Sequence, residues 1–187
     1  TGPFGNYIMP IMIGARDMAF PRLNALSWWV LFTAIPVLCS AWFLGGIPTG
    51  WTAYAPLSVQ AGPGMNAFIA TIIIFAFSTA VAGMNITTTV VAMRAKGMKW
   101  NRVPIFVIGS TISVALAIPA FPTFMLAQIQ TALDRSFSTT FFDAQMGGSG
   151  WLYAHLFWIM GHPEVYVILL PGVAALMEIL PVFVRKP

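Results

Sequence analysis

Four long apolar stretches, joined by short connections that hold most of the charge, restrict this chain to folds that can sit in hydrocarbon. Each stretch approaches or exceeds the roughly 20 residues that cross the apolar core of a bilayer as a helix. In lipid every backbone N–H and C=O must be paired internally, and runs of this length do so as α-helices. Spans are expected over 26–46, 66–93, 102–130 and 150–180, with 1–13 as the end of a helix that begins upstream. Composition agrees: 58% of the residues are hydrophobic and only 7% are charged, against about 25% in a soluble domain. No soluble domain, low-complexity tract or internal repeat interrupts the pattern. The expected architecture is all-α, one polytopic transmembrane helical bundle of four full spans and one partial span, forming a single membrane domain over 1–187.

The net charge of +4 and the pI near 9.6 raise the question of nucleic acid. The basic residues lie in short loops and build no continuous basic face, so no nucleic-acid partner is expected. Arg16 and Arg22 follow the first segment, Arg94, Lys96, Lys99 and Arg102 fall in the third connection, and Arg185 and Lys186 lie in the tail. Residues 45–65 carry no charge, and the connection before the last span holds Asp134, Arg135 and Asp143. Eight of the nine basic residues therefore lie on alternate sides, which the positive-inside rule assigns to the cytoplasm or matrix. Residues 45–65 and 131–149 then face outward, with Trp42, Trp51, Tyr54, Trp151 and Tyr153 near that boundary as an interfacial belt or as ordinary packing. Cys39 is the sole cysteine, so no intramolecular disulfide forms. Nothing resembles a cleaved signal peptide, and the opening Thr1-Gly2-Pro3 reads as the middle of a longer protein.

The last span breaks the apolar rule in one turn, His162-Pro163-Glu164-Val165-Tyr166. Ionisable groups in hydrocarbon are costly and mark metal sites, proton paths or partnered charges. At about 100° per residue, Tyr166 lies about 40° round from His162, and Trp158 and His155 share their stripe. Glu164 points nearly the opposite way, about 200° from His162. One face thus offers an imidazole and a phenol to a metal, and the other offers a carboxyl to protons. A neutral imidazole suits copper, iron or zinc, while a buried histidine bonded to a neighbouring helix is the plain alternative. His155 and Trp158 are expected around such a ligand rather than on the metal, where neighbours orient it. Pro163 removes a backbone donor and crowds the carbonyl of Ile159, loosening the helix where polar groups are needed.

A second set of polar residues leads toward that carboxyl. Asp17 lies on the basic side beside Arg16, as a proton-intake group or as a surface or capping residue. Asn6 lies one short helical stretch above it and Asn24 at the start of the next span. Ser78 and Asn85, seven residues apart, share a helix stripe with Thr79 alongside, and could equally be hydrogen-bonding glue between helices. Glu164 lies about 20 Å from the outer end of its helix, at a depth where the uncharged form is favoured.

Several motifs in consistent order resemble subunit I of the haem-copper terminal oxidases. They are Phe4-Gly5-Asn6-Tyr7, the run Ile13 to Asn24, Thr139-Thr140-Phe141-Phe142-Asp143, Leu152 to Trp158, Gly161 to Tyr166, Leu170-Pro171-Gly172 and Arg185-Lys186-Pro187. The resemblance implies an internal fragment of the twelve-helix subunit I fold, from the end of its second helix through its sixth. By that resemblance His162 is one of three histidines on the copper called copper B, and Tyr166 is the tyrosine covalently joined to it. Glu164 is the branching carboxylate, fed by a D-type channel through Asp17, Asn6, Asn24, Ser78 and Asn85. His-Pro-Glu-Val-Tyr with Gly161 before it is the A-type pattern, and related nitric oxide reductases lack it.

The implied activity is proton-pumping reduction of oxygen to water within a complete complex. Its partners are the rest of subunit I, subunits II and III, cytochrome c or quinol as electron donor, and a bacterial cytoplasmic or mitochondrial inner membrane. The other copper histidines and the ligands of the two haems fall outside this chain, which has two histidines in all. The isolated chain is therefore expected to bind neither copper nor haem stoichiometrically. Ala174, where the family more often has glycine, and Gln145-Met146, in place of a glycine-rich loop, are departures of packing and loop detail. A non-redox ion or proton transporter would share the composition but bind no haem, and a membrane scaffold would tolerate loss of His162, Tyr166 and Glu164.

Overall fold

The structure, a computed structural model, describes residues 2–185; Thr1, Lys186 and Pro187, two of them in the tail motif, lie outside the described residues. It is all-helical, with no strand among the described residues. The helices are α1 (Gly2–Ile13), α2 (Pro21–Phe43), the short α3 (Leu57–Gln60), α4 (Gly64–Ala92), α5 (Ile105–Phe137) and α6 (Gly150–Val184), with single 3-10 turns at Trp100–Arg102 and Ala144–Met146. Four of them, α2, α4, α5 and α6, are long and apolar enough to cross a membrane, as expected.

The boundaries differ from the hydropathy reading for physical reasons. Helix α2 starts at Pro21 rather than 26, because proline suits the first helical turn, where its missing N–H costs nothing. Helix α5 runs to Phe137, seven residues beyond the expected end at 130. Its last turns contain buried Thr131 and Asp134, polar residues that hydropathy counts against a span but that find partners inside the protein.

The chain forms two compact units. The first contains α1 and the segment after it, α4 from Thr79, α5 up to Pro119 and α6 from His162. Its core packs Met9, Ile13 and Met18 against Ile86, Val90, Val103, Phe106, Val107 and Val114. Helix α1 stops at Gly14, whose φ of +74° only glycine adopts without strain. There the N–H of Ala15 donates to Pro10 O at 2.8 Å and that of Gly14 to Ile11 O at 3.2 Å, satisfying carbonyls the helix end leaves free. Helices α5 and α6 approach closely where a Cβ on Gly109 would lie 2.5 Å from the Cβ of Ala174. Glu178 of α6 accepts from the Phe106 N–H at 3.1 Å, filling an open donor in the first turn of α5.

Prolines 163, 171 and 181 all lie inside α6, yet the helix is continuous. Pro171 cannot donate to Val167 O, one turn back. Ser113 of α5 supplies the missing donor, with Oγ 2.8 Å from that carbonyl. A neighbouring hydroxyl thus replaces the lost backbone bond, as a proline within the membrane requires.

The second unit comprises Ser27–Ser78 and Ala120–Gly161. Phe157 is its aromatic centre, with Phe124, Trp51, Tyr54 and Tyr153 around it at ring-centroid distances of 5.4, 5.3, 5.7 and 6.3 Å. The buried Tyr153 hydroxyl accepts from Gln128 Nε2 at 2.8 Å and donates to Thr52 O at 2.9 Å. Asp134 accepts from Thr139 Oγ1 and from the N–H groups of Phe141 and Phe142, which fixes the loop leading to α6. Arg135 donates to the carbonyls of Ser58, Val59, Ala61 and Gly62 and to Asn66 Oδ1, gathering the carbonyls around the end of α3.

Candidate functional site

The expected two-sided segment of α6 takes shape around His162. The His162 and Tyr166 rings meet edge to face, with centroids 4.7 Å apart and planes at 74°. Both side chains are exposed on this chain, and Glu164 between them is half-buried. Four-residue spacing on a helix produces the ring pair, and the two-residue step turns the carboxyl away from it. His162 makes no hydrogen bond among the described residues, so its ring is open to a ligand. An open neutral imidazole suits copper, iron or zinc. Among the described residues no group of three His, Cys, Asp or Glu side chains could hold a metal, so His162 would be the single ligand from here.

His155 and Trp158 belong to the second unit. The His155 ring lies with Nδ1 2.7 Å from Trp151 O, one turn back on its own helix. The Trp158 indole N–H donates to the Tyr54 hydroxyl at 2.5 Å. Both residues line a cavity of about 850 Å³ together with Tyr54, Ser149, Trp151 and Ala154. These bonds tie both residues to their own surroundings within the second unit.

The polar residues expected on the proton path divide into two kinds. Asp17 is exposed, and its Oδ1 accepts from the Met18 N–H at 2.7 Å. Asn6 is half-buried, with its Oδ1 shielded and without a hydrogen-bond partner. Asn24 is half-buried at the start of α2 and is partnered. Asn85, only 1% exposed, uses both ends of its amide on one backbone residue: Oδ1 accepts from Phe20 N at 2.9 Å and Nδ2 donates to Phe20 O at 3.2 Å. Ser78, in the second unit, donates to Ser27 O at 2.7 Å. The structure thus ties Asn85 to the segment that carries Asp17, and both Asn85 and Ser78 do act as hydrogen-bonding glue.

Sequence reasoning passed over Glu178, Thr89 and the work of Asp134 and Arg135. Glu178 is a charge within the apolar run of α6, a signal of the same kind that drew attention to Glu164. Thr89 had no comparable signal, because a threonine in a span is ordinary.

The family described as "Cytochrome C and Quinol oxidase polypeptide I" matches residues 1–187. The chain is 43% identical over 183 residues to "Cytochrome c oxidase subunit 1" of Bacillus subtilis (strain 168), covering 97% of this chain and 29% of that protein. It is 39% identical over 187 residues to "Cytochrome c oxidase subunit 1" of Thermostichus vulcanus, covering 100% of this chain and 34% of that protein. It is also 40% identical over 185 residues to "Quinol oxidase subunit 1" of Bacillus subtilis (strain 168), covering 97% and 28%. The chain therefore spans about a third or less of the length of these relatives.

Proposed function

The chain belongs to the cytochrome c and quinol oxidase polypeptide I family, and from that premise we propose that it is a portion of the catalytic subunit of a proton-pumping terminal oxidase reducing oxygen to water. The observation that carries the reading is the His162–Tyr166 ring pair on α6, with Glu164 two residues on from His162 and so on another face of the helix. His162 is one ligand of copper B, and Tyr166 is the phenol joined to it, able to give up an electron and a proton. Bound copper, paired with a haem iron ligated outside this chain, supplies the redox chemistry.

This chain's own contribution is then mostly proton handling. Protons need a file of polar groups and water to enter hydrocarbon, with a carboxyl placed at each end. Asp17 takes them up on the basic side, where exposure to solvent suits an intake group. Asn6, Asn24, Ser78 and Asn85 line or brace the D-type path, and the unpartnered Asn6 Oδ1 is suited to hold a water. Glu164 receives the protons and passes them to the oxygen site or the pump. The remaining parts of subunit I, with subunits II and III, complete the sites, and the electron donor is cytochrome c or quinol, both of which occur in the names of relatives. The complex lies in a bacterial cytoplasmic or mitochondrial inner membrane.

The visible spectrum of the native complex containing this chain is the test. Haem absorbance together with cyanide-sensitive oxygen consumption is expected. A complex without haem that still moves ions would replace this reading with a non-redox transporter.

A further inference from the structure

We propose that Thr89, acting with Asn85, is a positioning residue that holds the Asp17 carboxyl at the mouth of the proton path; this rests on the reading of Asp17 as the proton-intake group. The segment between α1 and α2 is not helical, so the N–H groups of Ala19 and Phe20 have no helical partner. Both donate to α4 instead: Ala19 N to Thr89 Oγ1 at 2.9 Å, and Phe20 N to Asn85 Oδ1 at 2.9 Å.

The two acceptors are four residues apart, on one face of the helix. They are also fixed in direction. The Thr89 hydroxyl donates its own hydrogen to Asn85 O at 2.7 Å, which leaves its lone pairs for Ala19. Asn85 closes a two-bond clasp by donating to Phe20 O. Thr89 and Asn85 are each only 1% exposed, so water has little access to replace either bond. Between the clasp and the carboxyl lies one residue, Met18, 3% exposed in the core beside Ile86 and Val90. Its N–H binds Asp17 Oδ1. An exposed carboxylate on an irregular segment is thereby tied through Met18 and Ala19 to a buried anchor on α4. The Asn85 amide is spent on this backbone, so its part in the path is also to position and not to carry protons.

Proton uptake by the assembled oxidase in vesicles, followed during turnover, tests the proposal. Thr89→Val removes the acceptor at nearly constant shape and is expected to slow uptake by about fivefold, the factor that one net hydrogen bond represents. Thr89→Ser keeps the hydroxyl and is expected to restore wild-type uptake. In an Asp17→Asn background, Thr89→Val is expected to add nothing, because it acts through Asp17. Normal uptake in Thr89→Val, equal loss in Thr89→Ser, or an additive loss in the double variant would each overturn the proposal. If Asp17→Asn slows uptake and Thr89→Val does not, only the positioning role fails. If Asp17→Asn itself leaves uptake intact, the intake reading fails and this proposal fails with it. Should Thr89→Val not assemble, hydrogen exchange of the unmodified complex decides. Ala19 and Phe20 amides as slow as those within α4 are expected, and open-loop exchange rates at both would overturn the clasp.

Discussion

Replacing Ser113 with alanine isolates one element of this fold, the hydroxyl that stands in for the N–H missing at Pro171. Ser113 Oγ lies 2.8 Å from Val167 O, and Ser113 is fully buried. Interhelical hydrogen bonds in membranes contribute about 0.6 kcal/mol on average and about 1.7 kcal/mol at most. The average is low because the unfolded chain in the membrane also finds partners. Val167 O has lost its usual N–H partner to proline, so the cost belongs near the upper end, about 1.5 kcal/mol. Pro171→Ala returns that N–H, and in this background Ser113→Ala is expected to cost about 0.5 kcal/mol or less. The coupling of about 1 kcal/mol is the quantity to measure. Titration of the purified complex with a denaturing detergent, followed by tryptophan fluorescence, reads all four corners of the cycle. Equal costs in the two backgrounds would refute the claim that Ser113 replaces a backbone donor.

The close approach of α5 and α6 predicts that Gly109→Ala costs about 1–3 kcal/mol by overpacking against Ala174, and that adding Ala174→Gly recovers much of it in the same titration. Arg135→Lys replaces a planar five-donor fork with three donors on one atom and leaves carbonyls between Ser58 and Gly62 unpaired. A loss of about 2 kcal/mol is expected, read as faster hydrogen exchange and proteolysis confined to the segment around α3. Glu164→Gln keeps the shape but not the titrating group, and is expected to abolish pumping and to slow turnover about 100-fold or more while copper content is unchanged. Proton-coupled turnover at the wild-type rate would remove Glu164 from the path.

The spans were legible in the sequence because hydrophobicity is summed over many residues and no single contact has to be known. The two-sided turn of α6 was legible for a related reason: helical geometry alone puts Tyr166 beside His162 and Glu164 on another face. Hydropathy failed where polar residues are satisfied by distant partners, as in the last turns of α5, where Asp134 and Arg135 bind loops on either side. It also gave no hint of α3, whose end is held by a side chain 73 or more residues away. Asn85 was singled out as channel or glue, and its bonds to Phe20 depend on which segment passes α4, a tertiary fact. In the sequence Ala174 is only a departure from the family pattern; in the fold it lies opposite Gly109, where two side chains larger than these would not fit.

Copper bound per haem in the purified complex, compared between the unmodified protein and His162→Ala, is the most direct measurement of the central claim. A fall in copper with haem retained is the expected result, because α6 then presents no imidazole at that turn. Full copper occupancy in His162→Ala would contradict the account, since the exposed ring on α6 would then serve no metal.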